Sequence, residues 1–72
     1  MYVLLLGRDG TLYPVEIKAT SHPSSEDARG IRAFREAYPR LKAGPGLLVA
    51  PVATLHPLTE KDYAVPWDLA ST

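Results

Sequence analysis

The sequence lacks cysteine, and its positive and negative charges cancel. Without cysteine, none of the 72 residues can form a disulfide or a Cys-based zinc site, so packing and hydrogen bonds must hold the fold. This composition also favours a cytoplasmic location. Eight basic and eight acidic residues leave no net charge. Because nucleic-acid binding usually requires a basic surface, we expect any contact with nucleic acid to be local and weak.

Long hydrophobic runs are missing as well. The longest, Val3 to Leu6 after Met1-Tyr2, is too short for a transmembrane helix and lacks the basic start and the cleavage site of a signal peptide. We therefore expect no membrane association. A chain of this length forms one small domain, residues 1–72, which buries only about 60% of the surface that the unfolded chain exposes.

Two strands joined by a tight turn are predicted at the start of the chain. Residues 1–6 are apolar on both faces, as in a strand buried within a sheet, and residues 11–18 are rich in apolar and β-branched side chains. Asp9-Gly10 between them predicts a two-residue type I′ hairpin turn. In that register the numbers of facing residues add up to 19, so Val3 faces Glu16.

A helix and a further strand are predicted to follow. Ser24 is a favourable N-cap, and apolar residues at spacings of three and four predict a helix over residues 25–38, which Pro39 ends. The apolar run 47–50 predicts a buried strand, reached through a right-handed crossover. The predicted fold class is therefore α/β: a β-hairpin followed by a helix crossover to a further strand (ββαβ).

The C-terminal part of the chain gives weaker signals. Residues 52–58 suit a short extended piece, and residues 59–62 suit a turn or a helical start. The segment 63–69 is apolar enough to lie across the domain, and residues 70–72 are expected to fray.

Glu16 and Lys18 are the charges most suggestive of a catalytic site. They lie two residues apart on a predicted strand, so both side chains point to the same face. The carboxylate could bind a divalent metal ion, while the ammonium group orients a water nucleophile or stabilises a phosphoryl transition state. The same triplet also occurs on ordinary solvated strand faces, and this alternative stays open.

The remaining polar groups have structural explanations. His22 and His56 have neither cysteine nor an acidic cluster at ligand spacing, which predicts ordinary loop histidines. Arg29, Arg32 and Arg35 could bind phosphate along the helix, but their alternation with acidic residues favours a solvated face. Serines in the segment before the helix are explained by turns and capping.

Five segments together carry a resemblance to a known family. They are residues 12–18, 27–35, 38–39, 46–51 and 63–67. This succession resembles the C-terminal domain of a family of archaeal and bacterial AAA-type ATP-binding proteins. That domain belongs to the PD-(D/E)xK, or restriction-endonuclease-like, nuclease superfamily, whose motif is an acid on one strand and Glu-x-Lys on the next. Glu16 and Lys18 match the second half of the motif, whereas the acid of the first half falls at Val3.

The resemblance implies a partial restriction-endonuclease-like core with Glu16 and Lys18 as catalytic candidates and Glu16 as the metal ligand. Because Val3 replaces the acid, we expect a degenerate, catalytically inactive module without a cofactor, which acts as a binding or assembly domain. The alternative is a Mg²⁺-dependent nuclease that uses the same two residues. The resemblance also implies an ATPase as a partner, and an inactive gene remnant is a further alternative.

Self-association is expected from the hydrophobic content of 46% and from the open edge of an apolar first strand. The expected state is a homodimer with Tyr2, Leu4 and the segment Val65-Pro66-Trp67 at the interface. In the alternative, the C-terminal segment folds back over the sheet and the protein stays monomeric.

Overall fold

The fold is a five-stranded mixed sheet with an α-helix packed on one face. The computed structural model describes residues 2–68, of which 2–5 only through their backbone. Residues 70–72, where fraying was expected, and residue 69, the last of the segment predicted to lie across the domain, are outside this range. The strands are β1 (Tyr2–Leu6), β2 (Leu12–Ile17), β3 (Gly46–Ala50), β4 (His56–Pro57) and β5 (Asp62–Pro66); a 3₁₀ turn (Ser25–Ala28) leads into helix α1 (Arg29–Ala37).

The strand order across the sheet is β1-β2-β3-β5-β4. The three central strands, β2, β3 and β5, run parallel, and the edge strands β1 and β4 run antiparallel to their neighbours. Helix α1 connects β2 to β3, so the predicted α/β class and the hairpin-helix-strand succession are confirmed. Among residues 2–68 no helix has the length and apolar character needed to cross a membrane.

The C-terminal segment differs from the prediction. Instead of lying across the domain, it forms β5 and extends the sheet beside β3 over five residue pairs, from Gly46–Asp62 to Ala50–Pro66. The short strand β4, in the region predicted to be extended, then pairs with β5. Tyr63 and Val65 have the β-propensity of a strand, whereas Pro66 has no N–H to donate in a sheet. As the last residue of β5, Pro66 is tolerated there.

The hairpin turn is longer than predicted. Gly10 N–H donates to Gly7 O (3.1 Å) and Gly7 N–H donates to Thr11 O (2.7 Å), so the loop has three residues, Arg8-Asp9-Gly10. Gly10 has a φ of 87°, whereas Asp9 does not adopt the positive φ that a type I′ turn requires. The Asp9 carboxylate instead accepts a hydrogen bond from Thr11 N–H at 3.0 Å, which favours a turn of this kind.

The extra loop residue shifts the strand register by one. Val3 is paired with Val15, and Tyr2 is paired with Glu16. The prediction that Val3 faces Glu16 is therefore wrong. Because side chains alternate between the two faces of a strand, a shift of one residue changes every facing pair.

The helix begins where predicted, although its first turn is 3₁₀ rather than α. Ser24 N–H donates to the Asp27 carboxylate at 2.8 Å, which ties the two ends of that turn together. Ala28 and Ile31 are fully buried against the sheet. At the other end, Tyr38 N–H donates to Phe34 O (3.1 Å) just before Pro39, where the helix was predicted to end.

The two faces of the sheet differ in what covers them. The face under α1, here called the helix face, contains the buried residues Leu48, Ala50 and Ala64. The opposite face is here called the open face, because no described helix covers it. By strand alternation and pairing it contains Tyr13, Val15, Ile17, Leu47, Val49, Pro57, Tyr63 and Val65.

Candidate functional site

Glu16 and Lys18 lie at the carboxyl end of β2, on the helix side of the sheet. Glu16 is half-buried beside the first turn of α1, where a Cβ at Gly30 would lie 3.9 Å from Glu16 Oε2. Lys18 N–H donates to Val49 O (3.0 Å), so the extended pairing continues past the strand and its alternation reaches both residues. The carboxyl ends of parallel strands are where α/β sheets usually bind ligands.

The metal site that the resemblance implies is incomplete around Glu16. On either side of Glu16 the sheet places Tyr2 of β1 and Leu48 of β3 in register, and neither is acidic. Within residues 2–68 no group of three His, Asp or Glu side chains is arranged to hold a metal ion. Glu16 and Lys18 could together orient a water or bind a phosphate oxygen, with the carboxylate as a single metal ligand.

The two histidines make local contacts. His22 Nδ1 lies 3.0 Å from Ser21 Oγ in the loop after β2, as expected for a loop histidine. His56 lies in β4 rather than in a loop, and its Nδ1 is 2.9 Å from Thr54 O.

A buried cluster around Asp62 was missed in the sequence. Asp62 is only 1% exposed at the start of β5. Its carboxylate accepts hydrogen bonds from Arg35 Nη2 at 2.6 Å and from Thr59 Oγ1 at 2.7 Å. Arg35 is therefore not part of a solvated helix face, because its side chain is only 18% exposed and ties α1 to β5. Arg29 does lie on such a face, and its side chain is 77% exposed.

The surroundings of Asp62 favour its ionised form. Burial raises the pKa of the Asp62 carboxyl, but the hydrogen bonds from Arg35 and Thr59 and the charges of Arg35 and Arg32 outweigh burial, so the pKa is lowered. The turn before β5 supports this arrangement, since Thr59 Oγ1 accepts hydrogen bonds from the N–H groups of Lys61 and Asp62, both at 3.1 Å.

Gly46 is the residue that makes room for the cluster. It pairs with Asp62 in the parallel ladder between β3 and β5. A Cβ at this position would overlap the Asp62 carboxylate and a methyl group of Ile31. Only glycine therefore allows the helix, β3 and the carboxylate to approach this closely.

The cleft beside this cluster has a volume of about 390 Å³. Its lining contains three basic and three acidic side chains together with Thr59, so their charges cancel: Arg32, Arg35, Lys61, Glu36, Glu60 and Asp62. Arg35, whose side chain is 18% exposed, already donates to Asp62 and to Lys61 O. The pair formed by Arg35 and Asp62 is therefore a structural link between α1 and β5.

The open face of the sheet is uncharged, unlike the cleft beside Asp62. None of its strand residues is charged, although 22% of the chain is. Ile17 and Tyr63 are 41% and 36% exposed, whereas Val15 is shielded by its neighbours. Because parallel strands are normally covered on both faces, an uncharged face over β2, β3 and β5 is typical of a surface that another element covers.

Comparisons with known proteins give one family and no close relative. No curated protein and no solved structure gives a significant match. The profile of a domain of unknown function, DUF4143, matches residues 3–70, which includes the helix and all five strands except Tyr2, the first residue of β1. The chain therefore belongs to the DUF4143 family.

Proposed function

We propose that this protein is a non-catalytic binding or assembly module, derived from a restriction-endonuclease-like domain that has lost its metal site. The observation that carries the proposal is the uncharged open face over the three parallel strands. The incomplete surroundings of Glu16 support the loss of catalysis. The resemblance to the domain that follows AAA-type ATPase domains supports an ATPase as one candidate partner and a cytoplasmic location.

The open face supports binding for a physical reason. Apolar side chains exposed on a contiguous surface are stabilised when another surface excludes water from them, by about 25 cal/mol for each Å² that is covered. Ile17 and Tyr63 mark two strands of such a surface, and no charged strand residue interrupts it. A module with this face gains free energy from docking without needing any reaction at Glu16.

The second candidate function is metal-dependent phosphodiester hydrolysis. It is favoured by the position of Glu16 and Lys18, which lie on one side of β2 at its carboxyl end. In this function Glu16 would hold one Mg²⁺, which would supply Lewis-acid chemistry, with further ligands from a partner chain or the substrate phosphate, and Lys18 would stabilise the developing negative charge. Hydrolysis breaks a P–O bond and consumes one water.

We expect the purified protein not to cleave DNA or RNA with Mg²⁺ or Mn²⁺. Loss of one of two carboxylate ligands commonly lowers the rate by orders of magnitude. The assay incubates supercoiled plasmid and single-stranded RNA with the wild type and with Glu16→Gln and Lys18→Met, which conserve side-chain size. Metal-dependent cleavage that both substitutions abolish would contradict the proposal and establish the nuclease.

Mn²⁺ binding, measured by titration calorimetry, tests the geometry around Glu16 separately from activity. Tyr2→Asp places a second carboxylate opposite Glu16, about 5 Å away across the strands, and is expected to raise Mn²⁺ affinity at least about tenfold. Val3→Asp is the matched control, because position 3 is paired with Val15. A gain in affinity confined to Val3→Asp would show that the register described here is wrong.

A further inference from the structure

We infer that the partner of the open face is a second copy of the chain, docked face to face around a twofold axis. The inference rests on the proposed function, since it names the occupant of the surface on which that function depends. This inference changes the dimer interface that was expected from the sequence. Pro66 is buried on the helix face rather than available for contact, and the Tyr2 and Leu4 side chains lie outside the described part of the structure.

The charge pattern favours pairing of identical faces. In a twofold interface each residue meets residues of the same patch on the other subunit, so any charge near the axis approaches its own copy. Like charges in such a position are destabilising. The strand residues of the open face carry no charge in β2, β3, β4 or β5, and the face can therefore pair with itself without repulsion.

The area of the open face determines how tightly two copies are expected to associate. Five strands spaced about 4.8 Å apart give a face about 24 Å wide. Four of the strands have five or six residues, about 17 Å or slightly more at about 3.3 Å per residue, but β4 adds only two residues at one edge. Two such faces bury on the order of 700 Å² in projection, which lies below the area of standard specific interfaces and in the range of weak, transient ones. The dimer is therefore weak, with dissociation in the micromolar to millimolar range.

Residues on two neighbouring strands of the open face have separate roles in the proposed contact. Leu47 and Val49 lie on β3, the middle strand, and are nearest to a twofold axis through the sheet. Tyr63 on β5 is the aromatic residue most suited to anchor the contact, because buried tyrosines often dominate interface energy. Sheets that pack face to face lie about 10 Å apart, which leaves room for these side chains to interdigitate.

The test compares two substitutions of the same kind at equal exposure. Ile17 on the open face is 41% exposed, and Leu41 in the loop after α1 is 42% exposed. Sedimentation velocity measures the mass of the wild type, Ile17→Lys and Leu41→Lys from about 10 μM to 1 mM, the range in which a small interface dissociates. Circular dichroism and thermal melts verify that each variant is folded, and Tyr63→Glu provides a second change on the open face.

We expect the mass of the wild type and of Leu41→Lys to rise from 7.9 kDa towards twice that value. Ile17→Lys and Tyr63→Glu should weaken association at least about tenfold, because each buries like charges near the axis. A wild type that stays monomeric at 1 mM would overturn the inference and leave the face to a different partner, without affecting the proposed function. A dimer that both open-face variants retain would also overturn it, since the contact would then use another surface such as the edge of β1.

Discussion

Replacing Asp62 by alanine is expected to lower the free energy of unfolding by about 3 kcal/mol. The carboxylate is 1% exposed and receives hydrogen bonds from Arg35 and Thr59. Its removal leaves the largely buried Arg35 guanidinium without its ion-pair partner and the Thr59 hydroxyl without its acceptor. Because small domains have stabilities of only about 5–15 kcal/mol, the loss is large and urea denaturation measures it directly.

An exposed aspartate provides the control for this change. Asp9 forms an ion pair with Lys42 at 3.2 Å, and both side chains are more than half exposed, at 61% and 65%. Asp9→Ala is expected to lower the free energy of unfolding much less than Asp62→Ala does, since exposed ion pairs are weak and only one turn hydrogen bond is lost with the carboxylate. Equal losses for Asp62→Ala and Asp9→Ala would contradict the structural role of the buried cluster.

Stability at acid pH reports on the same carboxylate. The pKa of Asp62 is lowered in the folded protein, so its contribution to stability is fully present above the ordinary aspartate pKa of about 3.9. That contribution decreases as the pH falls below this value towards the lowered pKa of the folded state. Asp62→Asn should show a smaller loss of stability between about pH 5 and pH 2 than the wild type does. Identical pH dependence in the two proteins would contradict the assignment.

The second large effect is expected for Gly46→Ala, which should lower the free energy of unfolding by about 2–3 kcal/mol. The added methyl group overlaps the Asp62 carboxylate and a methyl group of Ile31, and both are buried. Neither can move into solvent without separating α1 from β5. Thermal and urea unfolding of the single variant Gly46→Ala measure this loss of stability.

A double-mutant cycle locates the source of the strain. If the overlap with the carboxylate dominates, Gly46→Ala should cost less in the Asp62→Ala background than in the wild type. Gly30→Ala is the matched control, because its added Cβ makes an ordinary 3.9 Å contact with Glu16 Oε2. Since alanine is about 1 kcal/mol more favourable than glycine within a helix, this control should stabilise the protein. Stabilisation by both glycine substitutions would show that Gly46 is not closely packed.

Local signals predicted much of the fold. The N-cap at Ser24, the end of the helix before Pro39 and the apolar run of β3 follow from residues near each element, and all three were confirmed. The hairpin was also predicted, but its register was not, because Asp-Gly suits both a two-residue and a three-residue loop. The choice depends on the backbone of Asp9, which does not adopt a positive φ.

Features that join distant parts of the chain could not be predicted in this way. The hydrogen bond between Arg35 and Asp62 spans 27 residues, and no spacing in the sequence indicates it. The strand β5 gains most of its pairing from β3 rather than from a neighbour in sequence. Alternation along β2 did predict that Glu16 and Lys18 share a side, but it could not indicate which side α1 covers, because both sides of the central strands are apolar.

The most direct test of the docking of two open faces is a cross-linking measurement. The chain has no cysteine, so Val49→Cys provides a single thiol at the centre of the open face, and Tyr38→Cys provides one at the end of α1, where the side chain is 56% exposed. At about 0.5 mM, a concentration chosen for a weak interface, mild oxidation or a short bismaleimide should link Val49→Cys into a covalent dimer much faster than Tyr38→Cys. Equal rates for the two variants, or faster linkage at Tyr38→Cys, would contradict the docking of two open faces.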